Sequence, residues 1–171
     1  VGGHPVRLPD WDAVRTFIAG KASEMGARYF IRQNVPELDE LGLERELPEG
    51  AKMTVWNRDT EGAGKARAAE ADFGIVVADY AAAYTGTIAV LSDKDKGRSV
   101  SLLPTVLIAI IPADRLKTRL GEIVPAFDRA PLGGLPAGIH FISGPSRSSD
   151  IENALTIGVH GPGIVYALIV G

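Results

Sequence analysis

The second half of the chain is built from near-continuous apolar runs at residues 73–78, 87–91, 106–111, 139–142 and 164–170. None of these runs alternates apolar with polar residues, so each predicts a strand buried on both faces of a covered sheet. The first half follows a different rhythm. Trp11, Val14, Ile18, Ala22 and Met25 recur at spacings of three and four, with Asp10 placed to cap and Gly26 to stop an amphipathic helix. A short strand is expected at 29–31. A helix opened by Asn34 and Glu37 and ended by Gly42 follows it. A turn at 48–50, a strand at 53–56 and a polar loop at 57–64 come next. Helices are also expected at 114–120 and 150–157, the latter stopped by Gly158. Helix and strand in alternation predict an α/β fold: a layered sheet with a substantial parallel component and helices on both faces.

At 171 residues the chain reads as a single domain, 1–171, with no internal repeat. The apolar runs are far shorter than the roughly 20 residues that span a bilayer as a helix, so no membrane span is expected. Eighteen basic and 21 acidic residues leave a formal charge of −3 with no long block of either sign, which argues against nucleic acid as a partner. Cysteine is absent, which excludes disulfides, thiolate nucleophiles and cysteine-ligated iron–sulfur clusters on this chain. His4, His140 and His160 lack metal-ligand spacing, and no metal site is expected. The opening Val1-Gly2-Gly3-His4 carries no basic-then-apolar leader, so a cytoplasmic location is expected.

Four stretches combine glycine, hydroxyls and basic side chains beside predicted strand ends. In 144–152 (Gly-Pro-Ser-Arg-Ser-Ser-Asp-Ile-Glu), a loop leads from a strand into a predicted helix. Unpaired N–H groups at such a helix start, together with Gly144, Ser146, Arg147 and Ser148, suit a phosphate or carboxylate. Ser149 and Glu152 are spaced as a capping box and need no ligand. Thr85, Gly86 and Thr87 allow close approach of backbone and hydroxyls to a bound group, although a strand-to-strand turn uses the same residues. Arg98 and Ser99, in the stretch 97–104, follow a charged loop; Arg98 can neutralise an anion or pair with Asp93 or Asp95. His160 and Gly161 lie in the turn 158–163, where His160 is the candidate acid–base group, or else satisfies loop carbonyls. His140, inside a strand pattern, reads as structural.

In order, Tyr84-Thr85-Gly86-Thr87, the stretch 97–104 beginning Gly-Arg-Ser, the stretch 144–152 and Gly158-Val159-His160-Gly161-Pro162 resemble the LUD (lactate-utilisation) domain family. The resemblance covers 72–171. It implies a fold of the sugar-phosphate isomerase and CoA-transferase type. It also implies a part in oxidising L-lactate to pyruvate with iron–sulfur protein partners, the clusters sitting in those partners and no cofactor on this chain. The chain departs from the family at Tyr84, where glutamate usually precedes the Thr-Gly-Thr. That removes the carboxylate a transferase would use as nucleophile or base. The leading expectation is an accessory or substrate-binding subunit with an anionic small molecule held by Thr85, Gly86, Thr87, Arg98, Ser146, Arg147, Ser148 and His160. The alternatives are a small-molecule transferase, isomerase or ligase on the same fold, and a purely structural interaction domain.

Overall fold

A computed structural model describes residues 1–60, 62–128, 136–149 and 155–171. Strands β1 (His4–Leu8), β2 (Tyr29–Arg32), β3 (Lys52–Val55) and β4 (Phe73–Val77) precede β5 (Tyr80–Ala82), β6 (Thr87–Ser92), β7 (Val106–Pro112) and β8 (Leu116–Lys117). They are followed by β9 (Gly138–Ile142), β10 (Arg147–Ser149), β11 (Leu155–Ile157) and β12 (Ile164–Val170). The helices are α1 (Trp11–Met25), α2 (Pro36–Leu41), α3 (Gly64–Glu70), α4 (Ser99–Leu102) and α5 (Val124–Asp128).

Six strands form one all-parallel sheet in the order β1-β12-β7-β4-β2-β3. Its central strands are apolar without alternation because both faces are covered. Ile75, Val77, Ile108, Ile110 and Leu168 pack against Val14, Ile18 and Ala22 of α1 and Leu38 and Leu41 of α2. Val76, Leu107, Ala109 and Ile111 turn to the other face and meet Ala68 of α3, Val100 of α4 and a second, four-stranded sheet through Ala81, Ile88 and Val90. That sheet runs β8-β5-β6-β9. Each fully buried aliphatic side chain contributes roughly 1.5–3 kcal/mol relative to exposure, so this double burial is the main source of stability.

Local signals act as the sequence predicts in α1: Asp10 accepts from the Ala13 N–H at 2.8 Å, and Gly26 ends the helix at φ 63°. Elsewhere tertiary partners win. Helix α2 is capped by Val35 and not Asn34; Pro36 occupies its first turn, and the Asn34 side chain is taken by Arg58 and Asp95. The predicted helix at 114–120 is instead a 3₁₀ turn at Ala113–Arg115 followed by β8, because Leu116 and Lys117 pair with Ala81 and Ala82. The helix expected at 150–157 is overturned at its end, where Leu155–Ile157 pairs antiparallel with Arg147–Ser149. Glu152 of the proposed capping box lies outside the described residues. Helix α3 begins where the predicted polar loop ends, in an alanine-rich stretch of high helix propensity.

Arg32, 3% exposed at the end of β2, is held by Asp39 at 2.7 Å and Glu44 at 2.9 Å, and Asp39 also binds Arg58. The hydrogen bond from Arg58, then that from Arg32, lowers the Asp39 carboxyl to about 2. A depressed carboxyl stabilises the fold above its unfolded pKa, near 4, and that contribution is lost as pH falls towards 2. Asp39→Asn is therefore expected to flatten the acid limb of a stability–pH curve between about pH 4 and 2. An unchanged limb, followed by urea denaturation, would show that the ion cluster adds nothing.

Candidate functional site

The β5–β6 turn and the end of β9 meet over the β1–β12 edge of the large sheet. Thr85 Oγ1 and Thr87 Oγ1 are 2.7 Å apart, and Thr87 Oγ1 lies 2.8 Å from Ser143 Oγ. Three hydroxyls thus form a chain across two strands of the smaller sheet. Thr87, 4% exposed, anchors it. Thr85, at one end of the chain, also lines a cavity of about 310 Å³ together with Tyr84, Gly86, Gly144, Pro5, Ile88, Val165 and Ala167. Gly144 has φ 81°, and a Cβ there would come within 2.4 Å of the Val1 carbonyl oxygen, so only glycine lets the two segments close together.

Two guanidinium groups flank this region. Arg147 packs against the Cα of Gly2, next to cavity-lining Gly3, and Arg119 lies over the Tyr84 ring with its central carbon 5.0 Å from the centroid. Tyr84, 75% exposed, presents an aromatic face at the turn.

The other sequence-derived candidates divide among neighbouring structures. Ser146 exchanges backbone hydrogen bonds with the 158–163 loop, accepting from Gly158 and donating to the Pro162 carbonyl, both at 2.9 Å. Gly161 packs against the Ser146 side chain. Ser148 sits in the β10–β11 hairpin opposite Thr156. Arg147 and Ser148 are thus strand residues paired with Leu155–Ile157, while the start of the expected helix lies outside the described residues. His160 is exposed on the adjoining loop.

Arg98 and Ser99 open α4, where the Arg98 carbonyl accepts from Ser101 Oγ and the Ser99 carbonyl from the Leu103 N–H. Arg98 makes none of the contacts of the hydroxyl chain, and its charge is felt by His140. Burial, and secondarily the Arg98 charge, push the His140 imidazole below its ordinary value, and its Nε2 lies 2.6 Å from Ser92 Oγ. That pair ties β6 to β9, in line with the structural reading of His140.

A further polar cluster gathers at the carboxyl ends of β2 and β4. Lys96 Nζ donates to both oxygens of Asp79 at 2.6 and 2.7 Å, and Asp79 also accepts from the Leu91 N–H at 2.8 Å. Arg115 donates to the Ala78 carbonyl and to Glu37. Gln33, fully buried, accepts from the Val77 N–H at 2.9 Å. The sequence offers little signal for this cluster, because Gln33, Glu37, Asp79, Lys96 and Arg115 come from four separate connections. Asp72 stands at the opposite end of β4, where it accepts from the Arg28 and Tyr29 N–H groups, so it and Asp79 do not share a site. Among the described residues no group of three or more histidine, aspartate or glutamate side chains is arranged to hold a metal ion, and no helix is long and apolar enough to cross a membrane.

Comparison with known proteins agrees with this architecture. The LUD domain matches residues 4–170. Lactate utilization protein C of Halalkalibacterium halodurans is 44% identical over 154 residues, covering 88% of this chain and 66% of that protein. The Bacillus subtilis protein of the same name is 37% identical over 134 residues, covering 74% and 56%. The chain thus spans less than two-thirds of these curated relatives. A DUF162 family protein from Deinococcus radiodurans shares the fold, with a TM-score of 0.68 at 22% identity, covering 99% of this chain and 88% of the other. On the match across 4–170 and the identity to these relatives, the chain belongs to the LUD domain family.

Proposed function

We propose that this chain serves lactate utilisation as an accessory or substrate-binding domain, holding an anionic small molecule in the cavity at Thr85, Gly86 and Gly144. It would act in oxidation of L-lactate to pyruvate, with iron–sulfur partner proteins carrying the electrons. The relatives named lactate utilization protein C support the process. The lack of cysteine in these 171 residues supports the division of labour, since a cysteine-ligated cluster has to sit outside them.

The observation that carries the ligand reading is the Thr85–Thr87–Ser143 hydroxyl chain, whose Thr85 end lines an apolar-walled cavity of about 310 Å³. Hydroxyls donate to a carboxylate while aliphatic walls accept a short carbon tail, and Arg147, against Gly2, and Arg119, over Tyr84, supply compensating charge from beside the cavity. Binding is favoured over covalent catalysis because Tyr84 offers no carboxylate nucleophile at the position where the family usually carries one.

Calorimetric titration with lactate and pyruvate, at low and moderate salt, tests this. Saturable binding is expected, weakened roughly 10- to 150-fold in Arg147→Ala, the equivalent of about 1.5–3 kcal/mol for a hydrogen bond to a charged group. Thr87→Val should weaken it as well, with salt dependence kept. No heat of binding at millimolar concentration would remove this site.

A further inference from the structure

The crevice at the carboxyl ends of β2 and β4 carries a second reading, independent of the first cavity. We propose that it recognises a small molecule through vicinal hydroxyls.

The strand order places the crevice. From β2 the chain moves outward to β3, then crosses back to β4 on the other side of β2 and continues to β7 and β12. The connections leaving β2 and β4 therefore diverge, and open α/β sheets bind ligands in the gap such divergence leaves. Here the gap is a cavity of about 240 Å³, lined by Glu37, Val77, Asp79, Tyr80, Lys96 and Arg115 among others, with no lining residue in common with the cavity at Thr85.

Its hydrogen-bonding inventory identifies the ligand chemistry. The two lining acids and two lining bases cancel, and they are already matched as Lys96 with Asp79 and Arg115 with Glu37. A simple anion would compete with Asp79 or Glu37 for its cation, and a simple cation would compete in the opposite sense. The ion pairs do not exhaust the groups that form them. Lys96 has three N–H donors and spends two on Asp79; Asp79 Oδ1 accepts only from Lys96 among the described residues and can accept again. A hydroxyl both donates and accepts, so adjacent hydroxyls bridge an ammonium and its carboxylate without breaking the pair.

Gln33 lies behind this lining, joined to it through Val77. It is 0% exposed, its Oε1 is pinned to the N–H of cavity-lining Val77, and its Nε2 has no hydrogen-bond partner among the described residues. A buried amide donor left this way is costly, and a ligand oxygen that reached past Val77 would relieve it. Val35, Tyr80 and Leu91 complete the lining and suit the C–H side of a hydroxylated carbon chain.

Nuclear magnetic resonance titration of the ¹⁵N-labelled full chain tests the assignment, reading the Gln33 side-chain amide through its connection to the Gln33 backbone. Erythritol or glycerate is expected to shift that resonance saturably at millimolar concentration, while 1,4-butanediol and propionate, which lack vicinal hydroxyls, leave it in place. Equal binding of erythritol and glycerate identifies hydroxyls alone as the determinant; tighter binding of glycerate that salt removes identifies a hydroxylated acid. Asp79→Asn should weaken the interaction at least fivefold, and the erythritol–butanediol comparison stands on wild-type protein alone. A Gln33 amide that responds equally to propionate or butanediol, or to none of the four probes, overturns the proposal.

Discussion

Gly74→Ala is expected to destabilise the fold by about 3 kcal/mol, a large effect for one methyl group. Gly74 lies in β4 between Ile31 of β2 and Leu107 of β7. A Cβ there would stand 2.1 Å from the Val100 carbonyl oxygen and 2.7 Å from Pro104 Cγ. Neither obstacle is a flexible side-chain tip: one is backbone at α4 and the other a proline ring just past it. Relief therefore requires lifting α4 from the sheet and giving up contacts of Val100, which is wholly buried. For a domain of this size, about 3 kcal/mol corresponds to a fall in Tm of roughly 6–12 °C. Gly20→Ala supplies the contrast, because nothing lies within 4 Å of a Cβ at that position in α1 and the change should stabilise by about 0.5–1 kcal/mol. Urea midpoints with unchanged slopes would measure both. A Gly74→Ala cost below about 1 kcal/mol would mean that α4 gives way easily.

The second large effect is expected at Trp56, and it reaches the crevice. The indole fills the space between the start of α3 and the turn before α4: a Cβ on Gly97 would come within 1.9 Å of it and one on Gly64 within 2.8 Å. Its Nε1 donates to the Lys94 carbonyl at 3.2 Å. The turn so held is the one that delivers Lys96 to Asp79. Trp56→Ala should cost about 3 kcal/mol, the low end for a large aromatic because the ring is only partly buried. It should also speed amide hydrogen exchange at residues 93–97, while Trp56→Phe keeps most of the packing and loses the Nε1 bond. A stability loss without faster exchange there would show that the indole serves α3 alone.

Strand existence was legible where burial on both faces erased alternation, as in β4, β7 and β12. Helix α1 was legible because its period and both caps are local, carried by Asp10 and Gly26. The errors lie where a distant partner overrules a local preference. Leu116 and Lys117 pair with β5, and Leu155–Ile157 with β10, although both segments read as helix in isolation. Such pairing depends on strands brought alongside by the fold, which a window of neighbouring residues does not contain.

The candidate sites divide in the same way. Glycine and hydroxyl residues close in sequence, Thr85 to Thr87 and Gly144, were legible as a candidate cluster, since their spacing is itself the feature; tertiary structure added Ser143 and the apolar walls. Nothing in the spacing of Gln33, Glu37, Asp79, Lys96 and Arg115 announces a crevice, because only the crossing from β3 back to β4 brings them together. By itself the sequence determined the covered α/β sheet, the absence of cysteine chemistry and the resemblance to LUD domains, all of which follow from residue type and short-range order. Tertiary structure alone decided which face each strand presents, the pairing of Leu155–Ile157 with Arg147–Ser149, and the opposed charges at the switch between β2 and β4. Those depend on strand order, and strand order is a property of long-range packing, where contacts between residues dozens of positions apart outweigh local propensity.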